Sequence, residues 1–134
     1  MAGATYVLDK TYTETDANGV GKYYAVISGA ADGQCMLPTA ASQVALGITQ
    51  EAQAKQYENV VVRKYGISRF YAKGAVNRGD PLEVSGTTGQ LQKATLAPGT
   101  AAVHFILGYS ESTVADGAIG FVFLSPHFVS VAAS

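Results

Sequence analysis

Apolar positions in this chain come in short runs and not at helical spacing. The runs are rich in β-branched and aromatic residues and are bounded by Gly, Ser, Asn and Asp, the signature of many short strands. The pattern predicts strands over Tyr23–Ile27, Ala45–Ile48, Val60–Arg63 with an extension toward Tyr65, and Ile67–Ala72, the last two separated by Gly66. Further strands are predicted over Leu82–Val84 and Leu91–Lys93, on either side of the turn Gly86-Thr87-Thr88-Gly89, and over Val103–Tyr109 and Ile119–Leu124. One segment competes. Gln50–Gln56 consists of good helix formers behind a capping Thr49, but its only apolar residues are alanines, so a short surface helix or a polar loop is expected.

Two stretches echo one another. Ala45-Leu46-Gly47-Ile48 leads through a polar connection to Val60-Val61-Val62, and Ile106-Leu107-Gly108-Tyr109 leads likewise to Ile119-Gly120-Phe121-Val122-Phe123. Gly inside a strand marks a bulge or a tight corner. Two such corners favour a compact small β-barrel or β-sandwich over a flat sheet. The expected fold is therefore all-β, with a β domain over residues 23–125. A polar, Gly-punctuated N-terminal arm over residues 1–22 and an apolar C-terminal tail over 126–134 are expected to dock elsewhere, the tail onto a neighbouring subunit.

Length and composition narrow the class. The 134 residues suit one domain. Apolar residues make up 48% of the chain and charged residues 14%, so part of the surface has to be small, uncharged or apolar. That suits a protein which buries surface against copies of itself or a partner. A net charge of −1 supplies no field toward nucleic acid or membrane. No apolar run approaches the ~20 residues of a membrane span. Cys35 is the only cysteine and cannot form an internal disulfide. The first residues, Met1 to Lys10, lack the basic and apolar regions of a secretory signal. A soluble protein of the cytosol, or one assembled there, is expected, with no membrane partner.

The segment Asn77-Arg78-Gly79-Asp80-Pro81 spells Arg-Gly-Asp, a known adhesion signal. Its residue types are sufficiently explained as a connection between strands: Gly gives backbone freedom, Asp bonds its own downstream backbone, and Pro sets φ for re-entry into an extended segment. The same stretch carries a second pattern. From Gly66 to Val84 the chain reads strand, small residues, Gly79-Asp80-Pro81-Leu82, strand, followed by the Gly86–Gly89 turn and Leu91.

With Leu46-Gly47-Ile48 upstream, and Ile106-Leu107-Gly108 and Ile119–Leu124 downstream, this segment resembles the capsid decoration, or cement, proteins of tailed bacteriophages. The resemblance spans residues 25 to 125. It implies a non-enzymatic virion protein without cofactors, assembled in the host cytoplasm onto the outer capsid surface. There it would bind the major capsid protein as a homotrimer and stabilise the head by bridging neighbouring subunits. The contact elements expected on this reading are the arm, with Tyr6 and Tyr12, and the basic segment with Arg63, Lys64 and Arg69.

Candidate chemistry is sparse. Nucleophilic catalysis usually takes a His base, and the chain has only His104, in an apolar strand, and His127, after Pro126. Cys35 stands alone and the acids are dispersed, so neither structural zinc nor calcium is expected. Gly29-Ala30-Ala31-Asp32-Gly33 lacks the Lys and Ser/Thr of a phosphate loop. Eight tyrosines without any Trp make a poor case for sugar binding. Charge placement is the unusual feature. Arg63, Lys64, Arg69, Lys73 and Arg78, five of the nine basic residues, occur with no acid between them, interleaved with Tyr65, Phe70 and Tyr71. On a small barrel such a stripe suits single-stranded nucleic acid, the alternative function. A sequence pI of about 6.0 argues against it.

Overall fold

A computed structural model of the chain describes residues 7–96 and 102–131, and among these residues there is no helix. The strands are β1 (Leu8–Glu14), β2 (Ala25–Ser28), β3 (Gln34–Met36), β4 (Gly47–Thr49), β5 (Asn59–Tyr71), β6 (Pro81–Val84), β7 (Leu91–Lys93), β8 (Ala102–Ser110) and β9 (Ile119–Val131). They pair in the order β1-β3-β2-β4-β5-β9-β8-β6-β7, and β1 pairs back onto β5, which closes the first five into a barrel. The all-β, barrel-based expectation holds.

The remaining strands repeat the first barrel. β5 is long enough to serve twice. Its first half pairs with β1 and β4, and its second half, from Gly66, pairs with β9. Counting that second half as a new first strand, the order around the second ring is β5-β7-β6-β8-β9 and back to β5. A parallel bridge between Ala72 and Leu91 closes it. The pairing senses match as well. β1 is parallel to β3, as Ala72 is to Leu91, and every other pair in both rings is antiparallel. Even the connections correspond: Val20 bridges Gln53 in the first ring, and Val76 bridges Val114 in the second.

The two interiors follow from this. Tyr12, Val20, Val26, Cys35 and Val62 fill the first barrel. Their topological counterparts Phe70, Val76, Leu82, Leu91 and Val122 fill the second. Strict alternation along β5 buries Val60, Val62, Ser68 and Phe70 and turns Ile67 and Arg69 outward. Ala25, Ala45 and Ile48, on the outside of the first barrel, join the core cluster of the second. The β6–β7 turn fastens this contact, because the Gly89 carbonyl accepts the Ala25 N–H at 2.8 Å.

The sequence echo marks equivalent corners of the two barrels. A β-carbon on Gly47 would collide with the carbonyl of Arg63 across the β4–β5 pair, and one on Gly108 would collide with the carbonyl of Phe123 across β8–β9. Both positions need Gly for the close approach of two backbones.

Several elements differ from the pattern-based expectation. Gly66 does not end a strand. It lies at φ +103° where β5 changes partners. Leu8–Glu14, assigned to a separable arm by its polarity, is the strand that closes the first barrel against β5. Only Tyr12 and Glu14 of it are buried, so its apolar signal is weak. Tyr6 lies outside the described residues. Gln34–Met36 contains no alternating run but pairs with both β1 and β2. Gln50–Gln56 forms no helix, because Gln53 and Gln50 give their N–H groups to Val20 and Val61. The tail, through Val131, continues β9 alongside β8 of the same chain. Pro126 is tolerated there at a bulge, where Ser125 and Pro126 face Leu107 between the pairs Leu124–Gly108 and His127–Ile106.

Candidate functional site

The outward face of the second barrel is apolar where most sheet faces in water are polar. Ile67 on β5 is directly opposite Phe123 on β9, Phe123 is opposite Tyr109 on β8, and Tyr109 is opposite Pro81 on β6. Directly opposed residues share a face, so the four form one row across four strands. Ile67, Phe123 and Tyr109 are exposed, as are the neighbouring Phe121, Ile119 and Tyr65. Tyr65 packs edge-on against Phe123 at 5.5 Å, and His127 stacks on Tyr109 at 5.7 Å. Contiguous exposed apolar surface of this kind is uncommon on a protein that stands alone in water.

Arg69 sits within this face, opposite Phe121. Its guanidinium lies 5.4 Å from the Phe121 ring centroid and 5.7 Å from that of Tyr23, and it donates to the Tyr23 hydroxyl at 3.2 Å. That hydrogen bond holds the Tyr23 phenol below its usual range. A cleft of about 250 Å3 opens between Tyr23 and Gln50 of the first barrel and Ile67, Arg69 and Phe121 of the second. It is smaller than the usual small-molecule site, so a side chain or loop tip fits it better than a cofactor.

Tyr23 reaches the cleft at a cost. Its φ is +70°, an outlier for a bulky residue. The backbone there is held by Thr49, whose carbonyl accepts from Tyr23 N–H at 2.9 Å and whose hydroxyl accepts from Tyr24 N–H at 3.1 Å. In the second barrel the same place is taken by Gly79, at φ +92°, whose N–H donates to Ser110 O at 2.7 Å. This settles the Arg-Gly-Asp stretch: it is the second barrel's copy of a structural turn. Asp80 is engaged within it, accepting from Asn77 N–H at 2.8 Å and lying 3.8 Å from Lys93 Nζ.

The residues singled out from sequence are dispersed. Arg63 lies outward on β5, forked onto Asp9 with bonds of 2.9 and 3.1 Å, and donates to Ile67 O. Lys64 alternates to the opposite side and donates to the Tyr12 hydroxyl at 2.8 Å. Tyr12 is 5% exposed and belongs to the core, so it cannot be the contact residue expected of an arm. Of the basic stripe, Arg63 and Arg69 share a side of β5 while Lys64 takes the other, so it is not one continuous cationic surface. The aromatic face was missed because Phe121, Phe123 and Ile67 read as core in a strand pattern. Only alternation places them outside, of Phe121 and Phe123 with the buried Gly120, Val122 and Leu124, and of Ile67 with the buried Gly66 and Ser68.

Other polar groups serve structure. Glu83 is buried, with His104 Nδ1 at 2.9 Å and Gln92 Nε2 at 2.7 Å. Glu14 is buried at the end of β1, accepting from Asp16 N–H at 3.1 Å, while its second oxygen has no partner. Among the described residues no three His, Cys, Asp or Glu side chains are placed to hold a metal ion, and no helix is long and apolar enough to cross a membrane.

No family model matches the chain, and none of the curated proteins does. Among solved structures it is similar to the N base of head fiber gp8.5 in bacteriophage phi29. The two share 15% sequence identity with a TM-score of 0.63, covering 90% of this chain and 95% of that one. At this identity the likeness is one of fold, and it takes in nearly the whole of both chains.

Proposed function

We propose that this chain is a non-enzymatic structural protein of a phage virion. It seats on the outside of the head as a homotrimer and bridges neighbouring subunits of the major capsid protein. The observation that carries this reading is the extent of the fold likeness: a phage head-fibre base is matched over 95% of its length. The open aromatic row Ile67–Phe123–Tyr109 supports it as a surface built to be covered. Repeated copies on a lattice turn modest individual contacts into tight holding.

The test is co-sedimentation of the purified protein with expanded heads of the phage from which it comes. Saturable binding to the heads, together with a raised melting temperature of the particles, is expected. Heads that neither retain the protein nor gain stability overturn the reading.

A second reading, the base of a head fibre or spike, is favoured by the matched protein's own description as a fiber base. Quantitative mass spectrometry of virions separates the two. Lattice decoration requires copy numbers comparable to the capsid protein, and a fibre base far fewer.

A further inference from the structure

The duplicated barrels carry one docking contact between them, and the molecule has both halves of a second such contact unused. In the contact that is made, the first barrel offers the outside of β2 and β4, the row Ala25–Ile48, both fully buried. The second barrel offers its β6–β7 turn, whose Gly89 packs against Tyr24, Ala25 and Leu37. The equivalent row on the second barrel is Pro81–Tyr109, continued by Phe123 and Ile67; Pro81 is half-buried and the other three are exposed. The equivalent turn on the first barrel is the β2–β3 turn, residues 29–33. Its Gly33 has the same φ (+77° against +80° at Gly89) and no atom within 4 Å of where a β-carbon would stand. The turn is closed in the same way, Gly29 N–H to Gln34 O matching Ser85 N–H to Gln90 O.

We infer that copies of this chain associate head to tail: the β2–β3 turn of one copy docks on the β6–β8–β9–β5 face of the next. The contact thus repeats between molecules the one between the barrels within a molecule. The turn, Gly29-Ala30-Ala31-Asp32-Gly33, is small and exposed from Ala30 to Gly33, as an insertion over aromatic rings requires. Charge is complementary. Asp32 on the turn and Arg69 on the face have no ion-pair partner among the described residues. Pro81 has no N–H, so the backbone bond made by Ala25 is not repeated and apolar contact plus the Asp32–Arg69 pair replace it. A contact of this heterologous kind closes into a ring or runs on as a filament. The inference deepens the homo-oligomer element of the proposed function and does not rest on the capsid element.

The test uses light scattering on the purified full chain in the absence of heads. The wild type is expected at a multiple of the 13.9 kDa chain mass. The face variant Tyr109→Asp and the turn variant Asp32→Arg are each expected as folded monomers, with circular dichroism as the check on folding. Mixed in equal amounts, they retain one intact face and one intact turn between them and should form a 1:1 dimer. The double variant Asp32→Arg/Arg69→Asp should restore the wild-type mass, which guards against a face variant that fails to fold. A monomeric wild type, a turn variant that keeps the wild-type mass, or a mixture that stays monomeric overturns the inference.

Discussion

Gly108 lies with its α-carbon against the backbone carbonyl of Phe123 on the next strand, leaving no space for a side chain. Gly47 stands in the same relation to Arg63, with a φ of +155° besides. The obstructing atoms are backbone, which gives way less readily than a side-chain end. Gly108→Ala is therefore expected to cost about 1–3 kcal/mol, and Gly47→Ala at least as much. Urea unfolding followed by circular dichroism measures both. A loss within experimental error for either would mean that the barrels do not need their close corners.

Tyr23 and Gly79 occupy one place in two barrels with opposite costs. Residues held at positive φ carry about 1–3 kcal/mol of strain. Tyr23→Gly relieves this strain but removes a ring packed against the core of the second barrel, so it should cost less than the same truncation at a packed residue with negative φ, whereas Gly79→Ala should lower stability by about 1 kcal/mol. If the Tyr23 phenol serves the cleft, Tyr23→Phe, which keeps the packed ring, weakens partner binding without weakening the fold. A variant that loses both together would show Tyr23 to be a packing residue only.

Burial pushes the Glu14 carboxyl above its usual range, and the neighbouring Asp16 and Glu58 charges add to the rise. N–H donors at Asp16 and Glu58 oppose it. A raised folded value means the native state binds its proton more tightly than the unfolded chain. The stabilisation is thus complete below the ordinary glutamate range and fades as pH climbs through the folded value. Glu14→Gln removes this term. Its stability relative to wild type should rise as pH climbs above the ordinary glutamate range, and a difference that stays flat as pH rises would contradict the assignment.

Cys35 is buried in the first barrel, and burial, followed by the charges of Glu14 and Asp16, pushes its thiol up to about 12. The thiolate is the reactive form. A thiol reagent at neutral pH should leave the native chain unlabelled and react fully once denaturant is added. Rapid native labelling would show that the first barrel opens readily.

Arg63 is occupied by Asp9, and both side chains are partly solvated. Asp9→Ala should cost about 0.2–1 kcal/mol, the worth of an exposed pair. Fluorescence titration with a single-stranded oligonucleotide should show no salt-dependent binding by the wild type. Binding that weakens steeply with salt would revive the nucleic-acid reading.

The strands legible in the sequence are those whose apolar runs are dense, such as Ile119–Leu124, which opens β9. The close-approach glycines at 47 and 108 were also visible as an echo, because a corner leaves a mark in residue type. The duplication behind the echo was not. Strands Leu8–Glu14 and Gln34–Met36 are held by pairing partners distant in sequence, not by their own hydrophobic pattern. Of the candidate site, Arg69 was legible as charge. The aromatic face around it was not, since an exposed Phe and a buried one look alike in a strand.

β5 is a splice. In most proteins built from two similar units, a linker lets one unit swing on the other. Here the backbone that finishes the first barrel at Tyr65 begins the second at Gly66 without leaving the strand. A load applied between β1 and β9 finds no slack to take up. It passes from ladder to ladder along a single strand, so the two halves should yield in one event and not in succession.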